Sequence, residues 1–169
     1  SSGRETIGRV AAGAVAAKLL ERLGVRLLTY TKSIGPVSIP SEEYDYSQIS
    51  CNPLYMPNEE YARKAQDYLQ ECIHSLDSSG GIIECQAKGL VFQKLDACLA
   101  KAIMSIGAVK GVEIGDGFAA AKSRGSLNND PFICQDGKIS KITNHSGGTL
   151  GGFSDGSTLI LRAAVKPTS

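Results

Sequence analysis

The 169 residues include no tryptophan and few aromatic residues of any kind, 6% in all. A core built from this chain therefore rests on alanine, valine, isoleucine and leucine; hydrophobic types together make up 42%, enough for one compact domain. An excess of charge is lacking too: 18 Lys plus Arg stand against 17 Asp plus Glu, a formal net charge of +1. A general nucleic-acid binder is more basic than this, so nucleic acid is not an expected partner, and any anion must be recognised by local placement. No apolar run reaches the roughly 18 residues of a membrane span, and the first residues do not read as a signal peptide. The five cysteines, at 51, 72, 85, 98 and 134, are odd in number and show no CxxC spacing. That argues against a disulfide framework and a zinc site; no metal is expected, and free thiols fit a reducing, cytoplasmic compartment.

Helices and strands follow from periodicity. Arg4 to Leu23 reads as a helix that is small or apolar nearly all round, through Ile7, Val10, Ala14 and Ala17 on one side and Ala11, Ala12, Gly13 and Ala16 on the other. Such a helix is expected to be buried on more than one face, and Gly24 stops it. Val25–Thr31 is a strand by its β-branched content, with Val37–Ile39 pairing back after the Gly35-Pro36 turn. Pro40–Pro57 is irregular. Asn58 caps a second helix to about Leu76, with Tyr61, Ala65, Leu69, Cys72 and Leu76 as its apolar stripe. Ile82–Ala87 is a strand, Val91–Ile106 a third helix with Phe92, Leu95, Leu99, Ile103 and Ile106 on one face, and Val109–Ile114 a strand. Gly115–Asn129 is a surface segment, Lys138–Thr143 a strand, Asn144–Gly156 a glycine-dense stretch and Thr158–Val165 a final strand. The class is α+β or α/β, small-residue helices packing on sheet; helix then strand recurs without a residue-level repeat.

Three segments carry potential chemistry. Ser1-Ser2-Gly3-Arg4-Glu5-Thr6 stands at the start of the first helix, where hydroxyls, free N–H groups and a guanidinium suit an anion; a tag remnant at Ser-Ser-Gly and a surface arginine are the plainer reading. Thr143–Gly152 holds paired glycines that let backbone approach a ligand, or that simply turn between strands; no helix follows, so a Rossmann reading fails. Ala163–Ser169 ends the last strand with Lys166 and hydroxyls, suited to a phosphate or merely solvated. His145 reads first as capping a turn, with a flavin-facing position as the alternative. His74 reads as solvated, and Asp116-Gly117 as a turn, near Glu113.

Taken together, these segments are more specific. SSGRETIGRVAAGAVA resembles the chorismate synthase signature RSSARETxxRVAAGAxA; AIMSIGAVKGVEIGDGF, TNHSGGTLGGFSDG and VKPTS resemble that family's AxMSIxAVKGVEIGDGF, xNxxGGxxGGISxG and xKPTxS, and GGIIEC matches the strand after its second helix. The matches run in family order over most of the chain. The resemblance implies an α+β sandwich with long helices between two antiparallel sheets, a homotetramer and reduced FMN, with NADPH only if the enzyme reduces its own flavin. The implied reaction is the anti-1,4 elimination of phosphate from 5-enolpyruvylshikimate 3-phosphate to give chorismate, the last common step of the shikimate pathway, catalysed by a carbon–oxygen lyase.

Residue by residue, the resemblance implies cofactor contacts at Ser1, Ser2, Gly107, Ala108, Gly151, Lys166, Pro167, Thr168 and Ser169, and substrate contacts at Ser2, Gly3 and Arg4; it points to no catalytic residue in this stretch. Gly3 stands where alanine is usual and Gly107 where asparagine is common. Gly89-Leu90-Val91-Phe92 is shorter than the family's PxGLGEPVF-type loop. The expectation is a single domain over residues 1–169, a partial family core without the amino-terminal part, the loop near 90 and the RHDP region. The alternative is a non-catalytic flavin- or phosphate-binding fragment or paralogue.

Overall fold

The computed structural model describes residues 3–89 and 95–168. In chain order the elements are α1 (Gly3–Arg22), β1 (Arg26–Ile34), β2 (Val37–Ser38), α2 (Glu59–His74), β3 (Gly81–Lys88), α3 (Leu95–Met104), β4 (Val109–Ile114), α4 (Gly125–Asn128), β5 (Phe132–Gln135), β6 (Lys138–Lys141), β7 (Thr149–Leu150), β8 (Phe153–Ser154) and β9 (Leu159–Val165). Five strands form one sheet in the order β2-β1-β3-β9-β4, and β5–β6 and β7–β8 form separate two-stranded ribbons. β2 pairs antiparallel with β1, Ile34 opposite Val37, and both ribbons are antiparallel, so the class is α+β. The chain divides into two compact units, one of Ser1–Leu28, Gln86–Gly107 and Glu113–Leu161, the other of Thr29–Cys85, Ala108–Val112 and Arg162–Ser169.

In the second of these units, Asn58 opens α2 as expected, its side chain accepting from the N–H groups of Glu60 and Tyr61. The helix buries Ala62 and Ala65 against Ile39 and Met56, with Ile34, Val37, Tyr44, Leu54 and Tyr61 around them. The irregular stretch before it is held by Asn52, whose amide donates to the carbonyls of Gln48 (3.0 Å) and Met56 (2.8 Å) and accepts from Met56 N–H (3.1 Å). One member of the expected stripe is misplaced. Leu76 is 97% exposed and has φ +56°, because α2 ends at His74 and the chain turns away before reaching it.

The same unit buries a carboxylate. Glu84 on β3 accepts from the hydroxyl of Tyr30 and lies 3.4 Å from Lys32 Nζ and 3.5 Å from Arg162 Nη1. Burial, and then the Glu84 carboxylate, push the Tyr30 phenol far above its ordinary range. The rings of Tyr30, Tyr44 and Tyr46 pack edge-on or tilted nearby, with centroids 5.3–5.9 Å apart.

In the first unit, Ala87, Leu95 and Leu159 form the buried core, with Leu99 and Ile114 against it. α3 is described from Leu95, so the expected start at Val91 and the contact of Phe92 lie outside the described residues, as do Leu90 to Phe92 of the shortened loop. Ile106 falls beyond the helix end and is 40% exposed. The expectation that α1 is buried on more than one face is not met here. Ile7, Val10, Val15 and Leu19 are each at least 60% exposed, because no described residues cover this helix. A polar tie joins it to the end of α3: Arg9 donates to Ser105 Oγ and to Ser105 O, both at 3.1 Å.

Candidate functional site

The segment that follows α3 and the segment that follows β9 meet in the second unit. Lys166 N–H donates to the carbonyl of Ala108 at 2.9 Å, and Ala108 holds φ +68°. A non-glycine residue in that region costs of order 1–3 kcal/mol and persists where surrounding structure enforces it. Ser78 Oγ donates to Thr168 O. A Cβ at Gly80 would stand 2.5 Å from Val165 O and 3.1 Å from Pro167 Cδ. Ala108 and Lys166 are thus brought into contact, with Pro167 and Thr168 following in the chain. Ser78 and Gly80 join them, although Ser78-Ser79-Gly80-Gly81 reads in sequence only as a helix stop. Ser1, Ser2 and Ser169 lie outside the described residues; Gly3 opens α1, and Arg4 is on its first turn, exposed to solvent.

The glycine-dense stretch belongs to the first unit. Residues 149–154 make the ribbon β7–β8, turned by Gly151 (φ +59°) and Gly152 (φ +84°). Asn144 organises its base, its amide donating to Thr158 O at 2.7 Å while its oxygen accepts from Gly148 N–H at 2.9 Å. Asp130 accepts from Thr143 Oγ1 (2.7 Å), His145 N–H (2.7 Å) and Ser146 N–H (2.9 Å). Lys141, with only 3% of its side chain exposed, pairs with Asp155 and lies 3.5 Å from Asp130. His145 Nδ1 lies 2.7 Å from Asp116 Oδ2, and Asp116 N–H donates back to the His145 carbonyl at 2.8 Å, a contact that supports its turn-capping reading. His74 ends α2 in solvent. Glu113 accepts from Phe118 N–H at 3.0 Å, closing the turn at Asp116-Gly117.

Sequence reading missed the Asp130–Lys141–Asp155 cluster. A cavity of about 660 Å³ adjoins it, lined among others by Lys88, Phe132, Lys141, Asn144, Asp155 and Thr158. Burial alone would raise the Asp130 carboxyl, but the hydrogen bonds from Ser146, Thr143 and His145 outweigh it and hold it well below the usual carboxylate range. Asp155 is likewise lowered, burial being outweighed by Lys141 and Ser157. A depressed carboxylate stabilises the fold above its unfolded-state value, about 3.9, and the contribution is lost as pH falls toward the folded-state value. Denaturant titrations at stepwise lower pH are expected to show Asp130→Asn less stable than wild type at neutral pH, the gap closing below about pH 4. Parallel acid profiles would place the pH dependence elsewhere. Among the described residues no group of three or more His, Cys, Asp or Glu side chains could hold a metal ion.

A family model described as chorismate synthase matches residues 1–169. The chorismate synthase of Agathobacter rectalis is 63% identical to this chain, over 99% of it and 48% of that protein. Those of Lachnoclostridium phytofermentans and Archaeoglobus fulgidus are 60% and 48% identical, again over 99% of this chain and 48% and 49% of theirs. The chain spans about half the length of the curated relatives it matches. A crystal structure of chorismate synthase, 31% identical, superposes with a TM-score of 0.91 over 99% of this chain and 56% of that one.

Proposed function

The chain belongs to the chorismate synthase family, and on that premise we propose that the protein carrying it eliminates phosphate from 5-enolpyruvylshikimate 3-phosphate to give chorismate, with reduced FMN as cofactor. The observation that carries the reading is the hydrogen bond from Lys166 to Ala108. It joins two of the family-like segments, SIGAVKG and VKPTS, at a backbone conformation unfavourable for alanine.

The residues present fit the cofactor's chemistry. FMN needs a surface for a flat ring and donors for a phosphate. Lys166 and Thr168 offer a cation and a hydroxyl on an extended backbone. Gly151 offers an open backbone flank, since a Cβ there would meet nothing within 4 Å. When bound, reduced FMN supplies transient electron donation with no net redox change. Arg4, on the first turn of α1, is suited to clamp the substrate's phosphate or a carboxylate. Ser1 and Ser2 are proposed to flank the flavin, with Ser2 and Gly3 reaching the substrate as well and Ser169 completing the phosphate loop. Gly107 contributes backbone only, without the amide side chain common in the family.

The active assembly is proposed to be a cytoplasmic homotetramer, residues 1–169 forming a single partial core of a longer enzyme. The exposed face of α1 is then covered by segments of the full protein outside this stretch. No described helix is long and apolar enough to cross a membrane.

Titration of the full gene product with FMN, followed by flavin fluorescence, is expected to saturate and to tighten when substrate is added. No saturable change would count against the reading, and saturable binding without turnover would favour a non-catalytic, flavin-binding paralogue.

A further inference from the structure

The ribbon that carries Gly151 is fastened on both flanks to one buried ammonium. Lys141 Nζ meets Ser146 Oγ at 2.8 Å on the approach to the ribbon and the Asp155 carboxylate just after it. Asp130 lies 3.5 Å from the same ammonium and takes the N–H groups of His145 and Ser146 and the hydroxyl of Thr143. Asp155 also receives Ser157 N–H at 2.9 Å, and its own N–H donates to Gly148 O at 3.1 Å. The phenyl ring of Phe132 lies 5.8 Å from Lys141 Nζ.

Three buried charges are an expensive way to hold a two-stranded ribbon. Desolvation offsets much of their attraction, and apolar side chains of similar volume would serve stability as well. What the ions add is direction: Asp130 takes the backbone N–H groups of His145 and Ser146, Asp155 takes that of Ser157, and the ammonium ties the Ser146 hydroxyl to the Asp155 carboxylate. We propose that Asp130, Lys141 and Asp155 form a positioning clamp that sets the height of the Gly151–Gly152 turn and thereby the affinity for FMN. The inference rests on Gly151 being a flavin contact, as put forward under Proposed function.

The full gene product tests it through D155N, which removes the charge facing Lys141 but leaves an acceptor for Ser157 N–H. The FMN Kd is expected to rise roughly tenfold, while kcat at saturating FMN falls by no more than about threefold and the substrate KM moves little. Lys141→Arg, which keeps the charge, is expected to retain most of the affinity. S146A removes only the hydroxyl that meets the ammonium and is expected to weaken FMN by roughly threefold; it carries the test should D155N fail to fold. Folded D155N and S146A proteins with wild-type FMN affinity would overturn the proposal. So would FMN Kd, substrate KM and kcat worsening in step with a fall in Tm, which would make the cluster a plain structural brace. Wild-type protein that takes up no FMN would overturn the underlying flavin reading, and the clamp with it, and is distinguishable because the variants would then play no part in the result.

Discussion

Gly147→Ala is expected to destabilise the full gene product by about 2–5 kcal/mol, toward the upper end of that range. The reason is an interlock of two glycines. A Cβ at Gly147 would stand 2.2 Å from Gly115 N and 2.4 Å from Gly115 Cα, and one at Gly115 would stand 2.1 Å from His145 O. Both residues have positive φ, +63° and +60°, where an L side chain is strained even without a clash. The obstructing atoms are backbone, so no side chain can swing aside. Both glycines also hydrogen-bond to Ile160 on β9: Gly115 N–H donates to its carbonyl, and its N–H donates to Gly147 O. Moving either glycine therefore disturbs the attachment of two segments to the sheet. Gly125→Ala is the control, because a Cβ there meets nothing within 4 Å and its φ is ordinary; a change within about 0.5 kcal/mol is expected. Chemical unfolding of the two variants side by side measures the difference. Equal stabilities would mean that the glycines do not interlock as described.

Gly151→Asn is expected to leave the fold intact and to raise the Kd for FMN by roughly a hundredfold or more, about 3 kcal/mol. The substitution separates two roles of the residue. As a turn residue, Gly151 needs positive φ, and Asn followed by Gly152 is a favoured two-residue hairpin turn. The space beside it is open within the chain, so the new side chain meets no protein atom within 4 Å at its first carbon. If the flavin occupies that space, the asparagine side chain displaces it. Circular dichroism and Tm are expected to match wild type. Undiminished FMN binding by the folded variant would place the flavin away from Gly151.

Much of the fold was legible because local chemistry decides it. Asn58 announces α2 through its capping oxygen, Gly24 closes α1, and Val109–Ile114 reads as a strand and is one. Other features fell below any pattern. β7 and β8 have two residues each, too few to show an alternation, and were hidden inside a run of glycines. β5 is four residues that include Cys134 and Gln135, and the Asp136-Gly137 hairpin signal between it and β6 was passed over. Leu76 fits the helical period but lies past the cap, where periodicity no longer applies. The small-residue faces of α1 were readable, but among the described residues Ile7, Val10, Val15 and Leu19 stay exposed.

The candidate site divides in the same way. Ala108, Lys166, Pro167 and Thr168 were reached through long motif matches, and the structure joins Lys166 to Ala108 by a backbone hydrogen bond. Asp130, Lys141 and Asp155 were not reached, since they belong to three separate segments and interact through side chains that follow no period. Arg9 was passed over for a different reason. It sits inside a matched signature, but its contact with Ser105 comes from the far end of another helix.

One assay tests the proposed reaction most directly. The full gene product is incubated anaerobically with reduced FMN and 5-enolpyruvylshikimate 3-phosphate, and chorismate and inorganic phosphate are followed together. The two are expected to appear in equal amounts, only when reduced FMN is present. Phosphate without chorismate, or neither product from a folded protein that has bound the flavin, would contradict the proposed reaction.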